Sequence, residues 1–441
     1  RGCERWGSAS AIAVSGAGNT IGGTSAADRN VITNGVTAIR LAGSGAHDNV
    51  VVGNYIGVDV TGDVAAGNIW GVLIEDGAWN NTIGGSTSGE RNVISGNSYG
   101  VSLGSSGNRV IGNYIGTNKD GDEALPNGQV GVDVWWGAQD NTIGGATAGE
   151  RNVISGNNGR GVQLGGDGNR LIGNYIGTNK DGNAALPNHG DGVFVWGGAD
   201  NNTIGGPTAG ERNVISGNDD AGIELESNSN TVEGNYVGVN AAGTVALPNG
   251  RGLNLLWGAS SNTVRNNVVS GNSGVGMRIA GELYMLSGSP TEPAPIPMNG
   301  CFDVTGYPEQ CDDNPDGYGP VGPFVLPAGF YRVDIDIEGC VGPFYEFEVS
   351  KEEFRFPSSG TCNAHITIYH FVDYGPAEQN VIQGNFVGTD PTGANCLPNG
   401  GVGIDILGWA TGNVIGGTGA GQANVIACNG GNGVQVRYYP A

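Results

Sequence analysis

NTIGGATAGERNVISGNNGRGVQLGGDG (141–168) is followed directly by NRLIGNYIGTNKDGNAALPNHGDGVFVWGGAD (169–200), and these two lines decide the fold. They align on one another. Each holds a short β-branched run, a Gly/Asn turn, a second run, a second turn and a third run: NTIGG or NRLIG, then NVISG or NYIG, then GVQL or GVFVW. Runs of this length bounded by Gly and Asn read as strands. NTIGG or a close variant begins at Asn19, Asn81, Asn141, Asn202 and Asn262, at intervals of 62, 60, 61 and 60 residues. A three-strand unit cannot bury its apolar face alone; stacking on its neighbours does so, which is the logic of a solenoid.

Columns through the alignment support this. The third residue of the first strand is Ile21, Val51, Ile83, Val110, Ile143, Leu171, Ile204, Val232, Val264, Ile382 and Ile415, a candidate core row. Asn19, Asn49, Asn81, Asn108, Asn141 and Asn169 open the same strands. Asn tolerates a left-handed backbone and suits a corner, and stacked amides can bond from coil to coil. The second strand alternates Val31, Tyr55, Val93, Tyr114, Val153, Tyr175, Val214 and Tyr236. Leu125, Leu186 and Leu247 of the ALPN loops are expected to fold over those Tyr rings. Arg29, Arg91, Arg151 and Arg212 recur beside an acid and read as exposed pairs worth at most about 1 kcal/mol each. About eleven coils at roughly 4.8 Å give a rod of about 50 Å.

Composition excludes the alternatives. Glycine makes up 85 of 441 residues, about 19%, against roughly 7% in an average chain. Helices do not carry such a load. No glycine period of three marks a collagen, and no apolar run is long enough for a spanning helix. A net charge of −23 argues against nucleic acid. No membrane insertion is expected.

The pattern stops after Ile279 and resumes at Asn380. The chain therefore divides into a first part of the β-helix (1–280), an insertion (281–378) and the last coils (379–441). The insertion is rich in Pro and aromatics, and its alternating runs FYRVDIDIEG and CNAHITIYHFV read as antiparallel strands of a small β-sandwich. It holds Cys301, Cys311, Cys340 and Cys362, of which Cys340–Cys362 is the easier pairing. Cys396 and Cys428 lie near one corner of consecutive coils and are expected to staple them. Cys3 is left over, and an odd thiol outside the cell points to a bond with another chain.

The string NTIGG–GERNVISGN–GNYIGT–ALPNG resembles the repeat of bacterial secreted and surface proteins of the right-handed parallel β-helix class, which shares its fold with pectin lyases. The resemblance covers about 19–280 and 380–436. It implies an all-β, right-handed parallel β-helix and an extracellular or cell-surface location. It leaves function open, since this fold carries lyases, hydrolases, tailspikes and passive rods.

Three chemistries were weighed. A polysaccharide lyase or hydrolase needs clustered carboxylates with a nearby cation on one strand face. Residues facing out from the third strand run Arg40, Leu73, Ser102, Asp133, Gln163, Phe194, Glu224, Asn254, Arg278, Asp405 and Gln435, with no two carboxylates adjacent. The best constellation is Asp219, Asp220, Glu224 and Glu226 with Arg251 and Arg278, read here as a solvated acidic face. No cofactor is expected, calcium excepted. Asn118, Asp120 and Asp122, and Asp59 and Asp63, alternate oxygen donors before a glycine turn, as calcium loops do; Asn, Asp and Gly are equally the residues of an ordinary turn. Trp135, Trp136, Trp196, Trp257 and Trp409 end the third strand and form a candidate stripe for sugar rings or another protein. Trp135 and Trp136 cannot both face inward on a period-two strand.

The expectation is a non-catalytic structural rod with no enzyme activity, associating end to end with other copies of itself through uncapped terminal coils. The alternative is a polysaccharide-binding or polysaccharide-degrading β-helix, with polysaccharide as its partner.

Overall fold

The β-branched triplets of each repeat form strands, and the strands stack coil upon coil. The structure is a computed structural model describing residues 10–281, 376–408 and 410–437, together with the backbone of Ile296–Met298, Gly329–Ile337, Tyr345–Val349 and Ala364–Phe371. Three parallel sheets run through the coils. The first holds eleven strands from Thr20–Gly22 to Val414–Ile415, and the second eleven from Val31–Ile32 to Val425–Ile426. The third holds twelve, from Ser10–Val14 to Val434–Arg437. This is the right-handed parallel β-helix.

The register places Ile83 opposite Val110 and Val110 opposite Ile143, and the row continues from Ile21 to Ile415. Nearly all of the row is fully buried in one continuous core with the inward residues of the third sheet, such as Val101, Leu103 and Leu164. The insertion does not break it: Val264 pairs with Ile382 across the intervening residues.

Asparagines satisfy the corners. Asn49 Nδ2 donates to Asn81 Oδ1 at 2.9 Å, Asn81 to Asn108 at 3.1 Å, and Asn141 to Asn169 at 3.1 Å. Two further ladders run parallel, through Asn92, Asn113, Asn152 and Asn174 and through Asn97, Asn127, Asn157 and Asn188. Buried amide groups left unpaired are costly, so a ladder in which each amide both donates and accepts suits a dry corner. The left-handed backbone lies one residue before the ladder Asn, at Asp48, Asn80, Asp140 and Asn201, rather than at the Asn itself. The amide that must point inward thus keeps an extended backbone.

One packing expectation is corrected. Arg29, Arg91, Arg151 and Arg212 are part-buried and lie over the rings of Tyr55, Tyr114, Tyr175 and Tyr236, with guanidinium-to-centroid distances of 3.9, 4.1, 4.1 and 4.1 Å. Each also donates Nε to a glycine carbonyl, as Arg91 does to Gly112 at 3.3 Å. A cation–π contact with a carbonyl acceptor replaces the exposed ion pair. Leu125 of the first ALPN loop packs on the cluster of Tyr55, Val58 and Val93 from the preceding coils. Gly121 lies against the Tyr114 ring. Its φ is +70°, and a Cβ there would stand 2.7 Å from the Tyr114 ring.

The chain forms two compact units, one from the coils on either side of the insertion and one from the insertion. The described strands of the insertion form a single antiparallel sheet in the order 296–298, 364–371, 329–337, 345–349. A sandwich has two sheets; the described residues hold one. Cys396 and Cys428 form a disulfide between the last two coils, Cα to Cα 5.6 Å. Cys3, Cys301, Cys311, Cys340 and Cys362 lie outside the described residues.

Candidate active site on the third sheet

Period-two alternation points every second residue of a third-sheet strand away from the core. The register confirms the outer row Arg40, Leu73, Ser102, Asp133, Gln163, Phe194, Glu224, Asn254, Arg278, Asp405, Gln435. Two flanking rows complete the face. Two residues further along lie Trp135, Trp196 and Glu226, whose backbone N–H groups donate to the preceding coils at Leu103, Leu164 and Val195. On the other side Ala221 pairs with Arg251, and Arg160 and Asp191 precede Gln163 and Phe194 by the same three residues.

A connected polar chain crosses these rows. Trp135 Nε1 donates to Asp133 at 3.1 Å, and Gln163 Nε2 to the other Asp133 oxygen at 3.0 Å. Arg160 donates to Gln163 at 2.9 Å and to Asp191 at 3.2 Å. Its guanidinium lies 3.6 Å from the centroid of Phe194, which meets Trp196 edge to face at 4.9 Å. One coil on, Asn254 Nδ2 donates to Glu224 at 3.0 Å, and Arg251 pairs with Asp220. The Glu226 carboxyl has no hydrogen-bond partner among the described residues.

The acids are not equivalent. Asp191 is 5% exposed, and burial, then the nearby Glu224 and Asp220 carboxylates, pushes its pKa up to about 6, against the pull of Arg160. Glu226 is pushed to about 7, first by burial and then by Glu224. Burial also raises Asp133, opposed by its bonds from Gln163 and Trp135. Carboxyls that hold a proton near neutral pH, beside others that do not, are what general acid–base chemistry requires.

The residues singled out from sequence are only partly brought together. Asp220, Glu224, Glu226 and Arg251 share the patch. Asp219 turns to His189, 2.5 Å away, and Arg278 to Asp405, 4.0 Å away, which also takes Arg437 at 2.6 Å. Trp135 and Trp196 occupy one row. Trp136, 73% exposed, and Trp257, with a left-handed φ of 56°, fall in the turn beyond, so the tryptophans do not make a single stripe. Trp409 lies outside the described residues.

In the candidate calcium loops, Lys119 Nζ sits 3.1 Å from Asp63 and 2.7 Å from Asp120, while Lys180 approaches Asp122 at 3.7 Å. Asn118 donates to Asp122 at 3.0 Å, and Asp59 accepts the Thr61 hydroxyl at 2.6 Å. Among the described residues no three His, Cys, Asp or Glu side chains gather as a metal site would need.

Arg160 and Asp191 escaped the sequence reading. Gly161 and Gly192 separate them from the strands they serve, so a period-two count starting at Val162 or Val193 never reaches them. The available signal was opposite charge at equivalent positions of successive coils: Arg160, Asp191, then Arg251 two coils on.

No family model matches the chain, and no curated protein does. Solved structures similar to it include a single mutant of the periplasmic alginate epimerase AlgG, 14% identical over 57% of this chain and 63% of that one, with a TM-score of 0.28. A double mutant of the same enzyme is 14% identical over 54% and 61%, with a TM-score of 0.26. The chain thus spans less than two thirds of the length of those enzymes. The expectation of a chain without enzyme activity is corrected here. The likeness to those solved structures shows the fold alone; what departs from the expectation is that the acids of the third sheet are part-buried and electrostatically distinct where a solvated face was expected. No helix among the described residues is long and apolar enough to cross a membrane.

Proposed function

We propose that the third-sheet face around Asp191, Glu224 and Glu226 binds a polysaccharide and acts on it by general acid–base catalysis. The observation that carries this reading is the pairing of Glu226 with Trp196: a part-buried acid whose carboxyl has no hydrogen-bond partner among the described residues stands one rung from a 39% exposed indole. Indole faces stack on sugar rings. Glu226, pushed to about 7, supplies the proton. Glu224 lies two residues back, in the strand that ends just before Glu226, about 6.6 Å along an extended backbone, and Asn254 orients its carboxylate. Asp191, held by Arg160, adds to the negative surroundings that keep the proton on Glu226. The Cys396–Cys428 disulfide supports an oxidising, secreted or surface setting.

The test is a polysaccharide panel read for new reducing ends and altered sugar products, with the protein as it stands and with Glu226→Gln. Turnover of at least one polymer, lost in the variant at unchanged melting temperature, supports the reading. A panel unaltered from mildly acid to neutral pH overturns it.

A further inference from the structure

We infer that the polysaccharide taken by this face carries no acidic groups and that the reaction is hydrolysis of its glycosidic bonds; this rests on the function proposed above. The argument is the disposition of the cations. A site for a uronate or sulfated sugar keeps a cation free to meet the substrate's own anion, since charge-assisted, often bidentate contacts to Arg are how carboxylates are recognised. At the patch around Asp191 and Glu226 both arginines are already engaged. Arg160 holds Asp191 and Gln163 and covers Phe194. Arg251 pairs with Asp220. Further along the sheet Arg40 pairs with Glu75 at 2.5 Å and Asp76 at 2.9 Å, and Arg437 donates to the buried Asp405 at 2.6 Å, while Arg278, two coils beyond Glu224, stands 4.0 Å from Asp405 with its Nε unbonded.

The acids outnumber their partners. Asp191, Asp220, Glu224 and Glu226 surround the patch where Arg160 and Arg251 are the cations. A substrate carboxylate placed beside Trp196 would enter a region already negative and poorly solvated, where like charges repel. A neutral sugar meets no such penalty: hydroxyl groups donate to carboxylates, and the indole takes the ring face.

The same disposition selects the reaction. Elimination or epimerisation at a uronate draws a proton from the carbon beside the sugar carboxylate, which needs that carboxylate neutralised; neither arginine of the patch is free to do so. Hydrolysis needs the two acids alone. Glu226 gives its proton to the glycosidic oxygen as the bond from that oxygen to the anomeric carbon breaks. Water adds its oxygen to the anomeric carbon and passes a proton to Glu224. One water is consumed, both products end in hydroxyls, and solvent returns the proton from Glu224 to Glu226.

The experiment compares neutral glucans, xylans and mannans with alginate and polygalacturonate, reading both reducing ends and the ultraviolet absorbance of the unsaturated ends that elimination leaves. The expected result is cleavage of at least one neutral polymer, at least tenfold faster than any acidic one, without unsaturated ends. Preferential action on an acidic polymer, or unsaturated ends, overturns the inference while leaving the proposed function standing. No action on any polymer overturns both. A second arm uses Asp220→Asn, which releases Arg251: binding to polygalacturonate in affinity electrophoresis should tighten at least fivefold over the parent. No tightening shows that the pairing of Arg251 does not set the preference and overturns the argument.

Discussion

The first and third sheets are built by the same coils, yet their outer faces are unlike. Outward positions of the first sheet repeat a small alphabet: Thr20, Thr82, Thr142 and Thr203 alternate with Val50, Arg109 and Arg170. The third sheet shows Leu73, Ser102, Asp133, Gln163, Phe194, Glu224 and Asn254 in succession. A repeated row meets one recurring need, the pairing of one coil with the next. An unrepeated row cannot be explained by that need, which all coils share. The departure from periodicity marks the face where one arrangement of different groups is assembled once.

Four measurements would break or sharpen that contrast. The largest effect is expected at the unrepeated face: Glu226→Gln should lower the turnover of a responsive polysaccharide by about 10²–10⁴-fold, as loss of a general acid does, with little change in melting. An equal loss on changing Thr142, on the repeated face, to Val would erase the distinction. Next is the shared framework. Asn152→Ala removes the acceptor of two bonds from Asn113 and the donor to Val110 and Asn174, all buried, and should cost about 4 kcal/mol in denaturant unfolding. A cost under 1 kcal/mol would show that the ladders are not a source of stability.

Third is the dependence of stability on pH. The raised pKa values of Asp191 and Glu226 mean that the folded chain holds more protons than the unfolded one between about pH 4 and pH 7. Their contribution is full below the ordinary carboxylate range and is lost as pH rises through about 6 to 7. Unfolding free energy should therefore fall over that interval, and Asp191→Asn with Glu226→Gln should flatten the fall. A parent profile as flat as that of the double variant would contradict it. The smallest effect is expected from Trp196→Ala, which should weaken polysaccharide binding about tenfold, some 1.4 kcal/mol, while Trp136→Ala, in the turn beyond, leaves it within twofold.

The coil and its core were readable because self-similarity fixes register: once Ile83, Val110 and Ile143 align, their stacking follows. The first asparagine ladder was readable on the same grounds, and the other two equally so from Asn92, Asn113 and Asn152 had their columns been followed. The site was less legible. Glu224 stands in the strand and Glu226 just past its end, both within reach of the sequence reading, but their part-burial depends on neighbours from adjacent coils. Arg160 and Asp191 lie beyond a glycine that interrupts the period-two count. Arg29 was misread because its partner, Tyr55, sits in the following coil, and Arg278 because Asp405 lies across the insertion.

The account rests on an acid of the third sheet that keeps its proton where ordinary carboxylates have lost theirs. A carbon-13 titration of the side-chain carboxyls, with Glu226 assigned from the spectrum of Glu226→Gln, measures this without any substrate. A Glu226 midpoint near 7 and a second, Asp191, near 6 are expected. Midpoints of both at about 4, among the exposed carboxylates, would contradict the account.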